Sequence, residues 1–227
     1  MTEKECKDIQ NNLSQISAGL PTGVKLVAVT KMHTPEEINA AIDWGITDIG
    51  ENKVQEVLAK YDSVKPVNWH LIGHLQTNKV KQIVDKVCMV HSVDSLHLAQ
   101  EIDKRCAAIG KTMDVLVQVN AAGEESKFGV APKEAEELCR QIAAGCKNLR
   151  LRGLMHIAPA AENPEDVRKY FRQVSELYNI IKGKDFGSSF DTLSMGMSGD
   201  YKIACEEGSN LVRIGTSIFG ARDYSKK

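Results

Sequence analysis

Lys31 stands at the end of an apolar, β-rich run, residues 24–31 (VKLVAVTK). A neutral lysine amine attacks aldehydes, so a strand-end lysine in a partly desolvated mouth is a candidate covalent anchor. Two segments near the other end of the chain offer a different chemistry. The loop 194–200 (SMGMSGD) and the run 211–220 (LVRIGTSIFG) supply the Ser198 hydroxyl and glycines that let backbone amides approach an anion. Gly215 and Thr216 can present two further amides at a short helix start, where peptide dipoles favour negative charge. Arg213 precedes them, and an arginine donates hydrogen bonds without giving up its proton. It could therefore face a ring nitrogen and keep it unprotonated. Burial and this neighbouring cation would lower the Lys31 pKa from its usual value of about 10.4, favouring the attacking amine. Together these groups meet the needs of a phosphate-bearing aldehyde, pyridoxal 5'-phosphate (PLP). Taken singly, each has a plainer reading: a solvated lysine, turn glycines, an arginine in a structural salt bridge.

For these groups to meet, the first and last strands must be neighbours. Cys6, Ile9, Leu13, Ile16 and Leu20 form one helical stripe, which ends at residues 21–23, before the first strand. After Lys31, Thr34-Pro35-Glu36-Glu37 reads as a capping box with proline at the first helical position, and Gly45 stops that helix. Short apolar runs then recur at 46–49, 69–72, 89–93, 115–119, 149–155, 192–195 and 211–214. Helical patterns separate them, among them 132–145 and 163–183. With 24–30 this makes eight strands alternating with helices, which implies parallel pairing. The expected fold is α/β, a single (β/α)8 TIM barrel with an extra N-terminal helix; an open doubly wound sheet is the alternative. No linker or low-complexity tract interrupts residues 1–227, so one domain is expected. Barrel sites lie at the carboxyl ends of the strands, with phosphate commonly bound after strands 7 and 8. That places both anion-binding segments and Lys31 at one rim.

Composition narrows the field. A net charge of -1 and 5% aromatics argue against a nucleic-acid surface with stacking platforms. No apolar stretch approaches the roughly 20 residues that span a bilayer, and the polar start lacks the apolar core of a signal peptide. Six scattered cysteines without a CxxC pair read as reduced thiols of a cytoplasmic protein. His70 and His74 are four apart, which suits a metal only on a helix, and Gly73 breaks that geometry. His33, His91, His97 and His156 show no ligand cluster, and Met195 and Met197 read as packing.

At this point the motifs resemble a known family. AVTK at 28–31, GEN at 50–52, WHLIGHLQTNK at 69–79, SKFG at 126–129, LRGLM at 151–155, SMGMSGD at 194–200 and VRIGTSIFGAR at 212–222 occur in order across nearly the whole chain. The chain resembles the YggS/PROSC group of PLP-homeostasis proteins, whose fold is that of the alanine racemase N-terminal domain. The resemblance implies that Lys31 holds PLP as a Schiff base and that Ser198, Gly215 and Thr216 bind its phosphate. It implies too that Arg213 faces the pyridine nitrogen, that Asn52 and Met155 line the ring, and that His74 borders the pocket. Many members carry serine before the lysine and a second lysine two residues after it; here these are Thr30 and His33, so a relay through a second lysine is in doubt.

Three functions compete. The first is a non-catalytic carrier that sequesters and delivers PLP, supports vitamin B6 and amino-acid homeostasis, and has PLP-dependent apo-enzymes as recipients. The second is a PLP-dependent racemase or decarboxylase. The third is a phosphosugar enzyme with Lys31 as an aldolase-type lysine. Alanine racemases add a second domain bearing an essential tyrosine, which is not expected here, and Arg213 would dampen carbanion chemistry. Negligible turnover is therefore expected, from a monomer.

Overall fold

A computed structural model describes residues 1–220 except 125, 185, 187 and 188. The end of the last motif, Ala221 and Arg222, lies outside the described residues. Eight parallel strands close on themselves in sequence order: β1 (Lys25–Val29), β2 (Asp48–Glu51), β3 (Asn68–Leu71), β4 (Met89–Val93), β5 (Met113–Val119), β6 (Leu149–His156), β7 (Thr192–Ser194) and β8 (Leu211–Ile214). The closed barrel expected from the alternation is thus what the chain forms, and the open sheet is set aside. Closure pairs Val27 with Arg213 and Ala28 with Ile214.

The helices are α1 (Glu3–Gly19), α2 (Pro35–Trp44), α3 (Val54–Lys60), α4 (Leu96–Ala108), α5 (Pro132–Gly145), α6 (Arg168–Lys182), α7 (Tyr201–Glu206) and α8 (Thr216–Phe219). Thr34 caps α2 as expected: its hydroxyl accepts from the Glu37 amide while Glu37 reaches back to the Thr34 amide at 2.7 Å. Gly45 closes the helix at φ 127°, a conformation that glycine adopts without strain. Helix α1 precedes β1 and packs on α2 and α8; Asn12 donates to the Ile218 carbonyl at 2.9 Å. The β3–β4 connection departs from the pattern, running through a 3-10 segment, Thr77–Gln82, in place of an α-helix.

Between strands and helices lies the main core, in which Ile49, Leu71, Val115, Leu154 and Ile214 are fully shielded. Inside the barrel a separate small cluster joins Met89, Leu116 and Met155. Leu116 alternates with Val115 and Val117 of the outer core, so it must point to the opposite face. Gly153 is forced by sheet closure. A Cβ there would lie 1.8 Å from the Thr192 carbonyl oxygen, on the β7 strand it pairs with. The β7–β8 seam has a single register pair, Ser194 with Leu211, and side chains complete it. The Ser209 hydroxyl bridges Leu193, Met195 and Leu211, and Asn210 accepts from the Leu193 amide at 2.7 Å.

Candidate functional site

Six of the seven residues singled out in the sequence line one cavity of about 320 Å³ at the carboxyl rim: Lys31, Asn52, Ser198, Arg213, Gly215 and Thr216. That volume is at the lower end of the roughly 300–1,000 Å³ range of small-molecule sites. A larger depression of about 790 Å³ lies beside it, between α1 and the β1–α2 loop, but Glu5, Asp8, Glu37 and Glu56 make its lining acidic, which suits a phosphate poorly.

Lys31 is half-buried two residues beyond β1, and the segment that carries it is braced from outside the barrel. Lys60 of α3 donates to the Thr30 carbonyl at 3.0 Å, to Glu51 at 2.8 Å and to Glu56 at 2.9 Å. Glu51 also accepts from the Thr30 hydroxyl at 2.8 Å, and Glu56 accepts from the Met32 amide at 2.7 Å. The chain is therefore held on both sides of Lys31. Met32 sits at φ 67°, the one non-glycine positive φ among the described residues, and strain of this kind collects where function fixes the backbone. Glu51 is fully buried and its second oxygen has no partner. Burial pushes its carboxyl upward against the pull of Lys60.

Asn52 follows β2 and is positioned by Gly73, where a Cβ would stand 2.3 Å from the Asn52 carbonyl oxygen. Ser92 anchors Gly73 in turn, donating to its carbonyl at 2.6 Å. On the other wall the Ser198 hydroxyl accepts from the Gly215 and Ser217 amides, both at 3.3 Å. Both amides thus turn toward Ser198, while Gly215 and Thr216, the pair the sequence points to, line the cavity. Gly215 crosses close to β1: a Cβ there would lie 3.1 Å from the Val29 carbonyl oxygen.

Arg213 is buried, with Nη1 donating to the Ser194 carbonyl at 2.9 Å and hydroxyl at 2.5 Å, and Nη2 to the His156 carbonyl at 2.8 Å. Burial lowers its pKa to about 10, with Asp200 opposing, so the guanidinium stays charged at neutral pH. The floor and sides are apolar: Val29, Ile72, Ile157 and Met197. Met197 therefore lines the cavity, although its spacing from Met195 suggested packing alone. Met155 is the reverse case. It is fully buried against Met89 and Leu116 within the barrel, below the cavity lining rather than on it. His74 stands on the rim stacked on Phe128, ring centroids 3.8 Å apart, and His70 turns into the barrel interior, so the two do not face one ligand.

The family model for the alanine racemase N-terminal domain matches residues 5–223. The pyridoxal phosphate homeostasis protein of Aquifex aeolicus is 45% identical over 202 residues, 88% of each chain. The chain belongs to the pyridoxal phosphate homeostasis protein family. Another member, from Escherichia coli K12, is 40% identical over 237 residues, covering 97% of this chain and 99% of that one. The structure of PipY from Synechococcus elongatus PCC7942 with PLP bound superposes with a TM-score of 0.86 at 32% identity, covering 93% of this chain and 100% of PipY.

In this pyridoxal phosphate homeostasis family member the barrel interior also holds a polar file that no local sequence pattern announced. Asp48 Oδ1 lies 2.9 Å from His70 Nε2, His70 Nδ1 lies 2.9 Å from His91 Nε2, and His91 Nδ1 lies 3.3 Å from Ser194 Oγ. Ser194 in turn accepts from Arg213. Burial, His70 and Arg213 all press His91 well below the usual histidine range. His70 is also pulled down by burial, but Asp48 and Cys88 outweigh this and raise it to about 9.

Proposed function

We propose that this chain binds PLP in the rim cavity and sequesters and delivers it, without turning over a substrate of its own. The observation that carries this reading is the convergence in one cavity of an amine, a phosphate-sized set of donors and a buried guanidinium. The Ser198 hydroxyl and the Gly215 and Ser217 amides bind the phosphate, and Val29, Ile72, Ile157 and Met197 enclose the ring. Asn52 holds its place against the ring because Gly73 lets its backbone approach. Three of the five Arg213 N–H groups are taken by Ser194 and His156, which leaves two for the ring nitrogen. When bound, PLP supplies an aldehyde that condenses with an amine and a conjugated ring that absorbs visible light. Lys31 provides that amine.

The absence of turnover is argued from the lining. Among its described residues, only Lys31 and Arg213 carry a charge, so no second acid or base stands ready to move a proton on the opposite face. Arg213 also holds its proton, which keeps a ring nitrogen neutral and weakens it as an electron sink.

The decisive experiment is the visible spectrum of purified protein beside Lys31→Ala, followed by borohydride reduction and peptide mass mapping. A yellow band that is trapped on Lys31 and absent from the variant is the expected result. A colourless protein that takes up no added PLP would overturn the site. A racemase rate that is lost in Lys31→Ala would overturn the non-catalytic reading.

A further inference from the structure

A barrel interior is usually filled by branched apolar side chains, yet here Asp48 of β2, His70 of β3, His91 of β4 and Ser194 of β7 cross it as one continuous file. One end opens into a cavity of about 320 Å³ at the amino-terminal face, lined by Asp48 and His70. The other ends on Arg213, at the rim cavity. His91 and Ser194 are fully shielded from water and His70 nearly so, and buried polar groups are retained only with their partners satisfied.

The donors in such a file must run in one direction or the other. With a proton on each nitrogen, His70 donates to Asp48 and to His91 Nε2, and His91 Nδ1–H then donates to Ser194. If His70 loses that proton, His91 must donate from Nε2 to His70 and accept at Nδ1 from the Ser194 hydroxyl. Ser194 Oγ thus changes from double acceptor to donor, while remaining the acceptor for Arg213 Nη1.

Resting on the reading that a ring nitrogen faces Arg213, we propose that the file is a positioning device. The proton at His70 sets the direction of the hydrogen bonds at Ser194 and, through them, how Arg213 serves the ring nitrogen. His70, His91 and Ser194 are positioning residues, since none of them lines the rim cavity. The charged and titratable groups facing the file among the described residues are Asp48 and its neighbour Lys25 at one end, with Asp114, Arg152 and Asp191 around the same cavity, Cys88 beside His70, and Arg213 with Asp200 and His156 at the other.

Two readouts test it, on the full chain. In ligand-free protein, imidazole 15N NMR at pH 7 should show His70 doubly protonated and His91 carrying its proton on Nδ1. Asp48→Asn should turn His70 neutral and move the His91 proton to Nε2. A His91 proton already on Nε2 in wild type, and unmoved by Asp48→Asn, overturns the proposal without reference to any cofactor. In PLP-loaded protein the pH profile of the visible band should move by roughly half a unit, about threefold in the underlying equilibrium, in both Asp48→Asn and Ser194→Ala. A wild type that binds PLP with the same profile as a folded Ser194→Ala also overturns it. A wild type that binds no PLP instead defeats the site reading, and the NMR result then stands by itself.

Discussion

Lys60→Met isolates the brace behind Lys31. In the native chain Lys60 is 11% exposed and pairs with Glu51, which is 0% exposed, so water screens the contact little. Removing the ammonium leaves Glu51 with only the Thr30 hydroxyl at 2.8 Å and a second oxygen that already lacks a partner. Breaking one side of a buried pair costs about 3–5 kcal/mol. The lower figure is expected here, because Glu51 can take up a proton instead of remaining charged. For a chain of this size, about 3 kcal/mol lowers Tm by roughly 6–12 °C. The pH dependence carries a sign. Burial already raises the Glu51 pKa in the folded state, and loss of Lys60 raises it further. The folded state then binds the proton more tightly than the unfolded chain, so the variant is most stable below the ordinary carboxylate pKa and loses stability as pH rises through the folded value. Urea unfolding of wild type and variant at pH 5 and pH 8 measures this, and Glu51→Gln combined with Lys60→Met should recover much of the loss. A penalty below about 1 kcal/mol at pH 8, unchanged at pH 5, would refute the assignment of a buried, functional brace.

Two further substitutions probe the cavity. Ser198→Ala removes the acceptor shared by the Gly215 and Ser217 amides, and with it the hydroxyl proposed to donate to the phosphate. PLP retention, followed by dialysis and the visible band, should fall about five- to tenfold, near 1–1.4 kcal/mol. Met32→Gly relieves the positive φ but adds backbone freedom to the unfolded chain, so the unfolding free energy should change little, by under about 1 kcal/mol either way. The same variant should slow capture of PLP by Lys31 in stopped-flow absorbance, because the backbone beside the amine is no longer fixed.

Much of this architecture was legible because its signals are local. The Thr34–Glu37 capping box, the 132–145 helix and the β4 and β8 runs are written in adjacent residues, and closure then brings Lys31 to Arg213 by topology alone. The apolar run at 46–49 marks strand β2 two residues early. Asp48 and Glu51 look like loop residues until their partners, His70 and Lys60, are known. The same limit hid the histidine file: its members come from four strands, and nothing in the neighbourhood of His70 or His91 reveals the other. Met155 and Met197 exchanged roles because depth along a strand, which decides whether a side chain reaches the rim or packs below it, leaves no trace in spacing.

Closure of β1 on β8 carries a consequence for how the molecule comes into being. Lys31 leaves the first strand, while Arg213, Gly215 and Ser217 follow from the last. A chain growing from its amino terminus therefore exposes the amine early but has no cavity around it until the final strand has joined the sheet. On the proposed reading, tight capture of the ligand is available only to the closed barrel, so occupancy doubles as a record that the ring has closed.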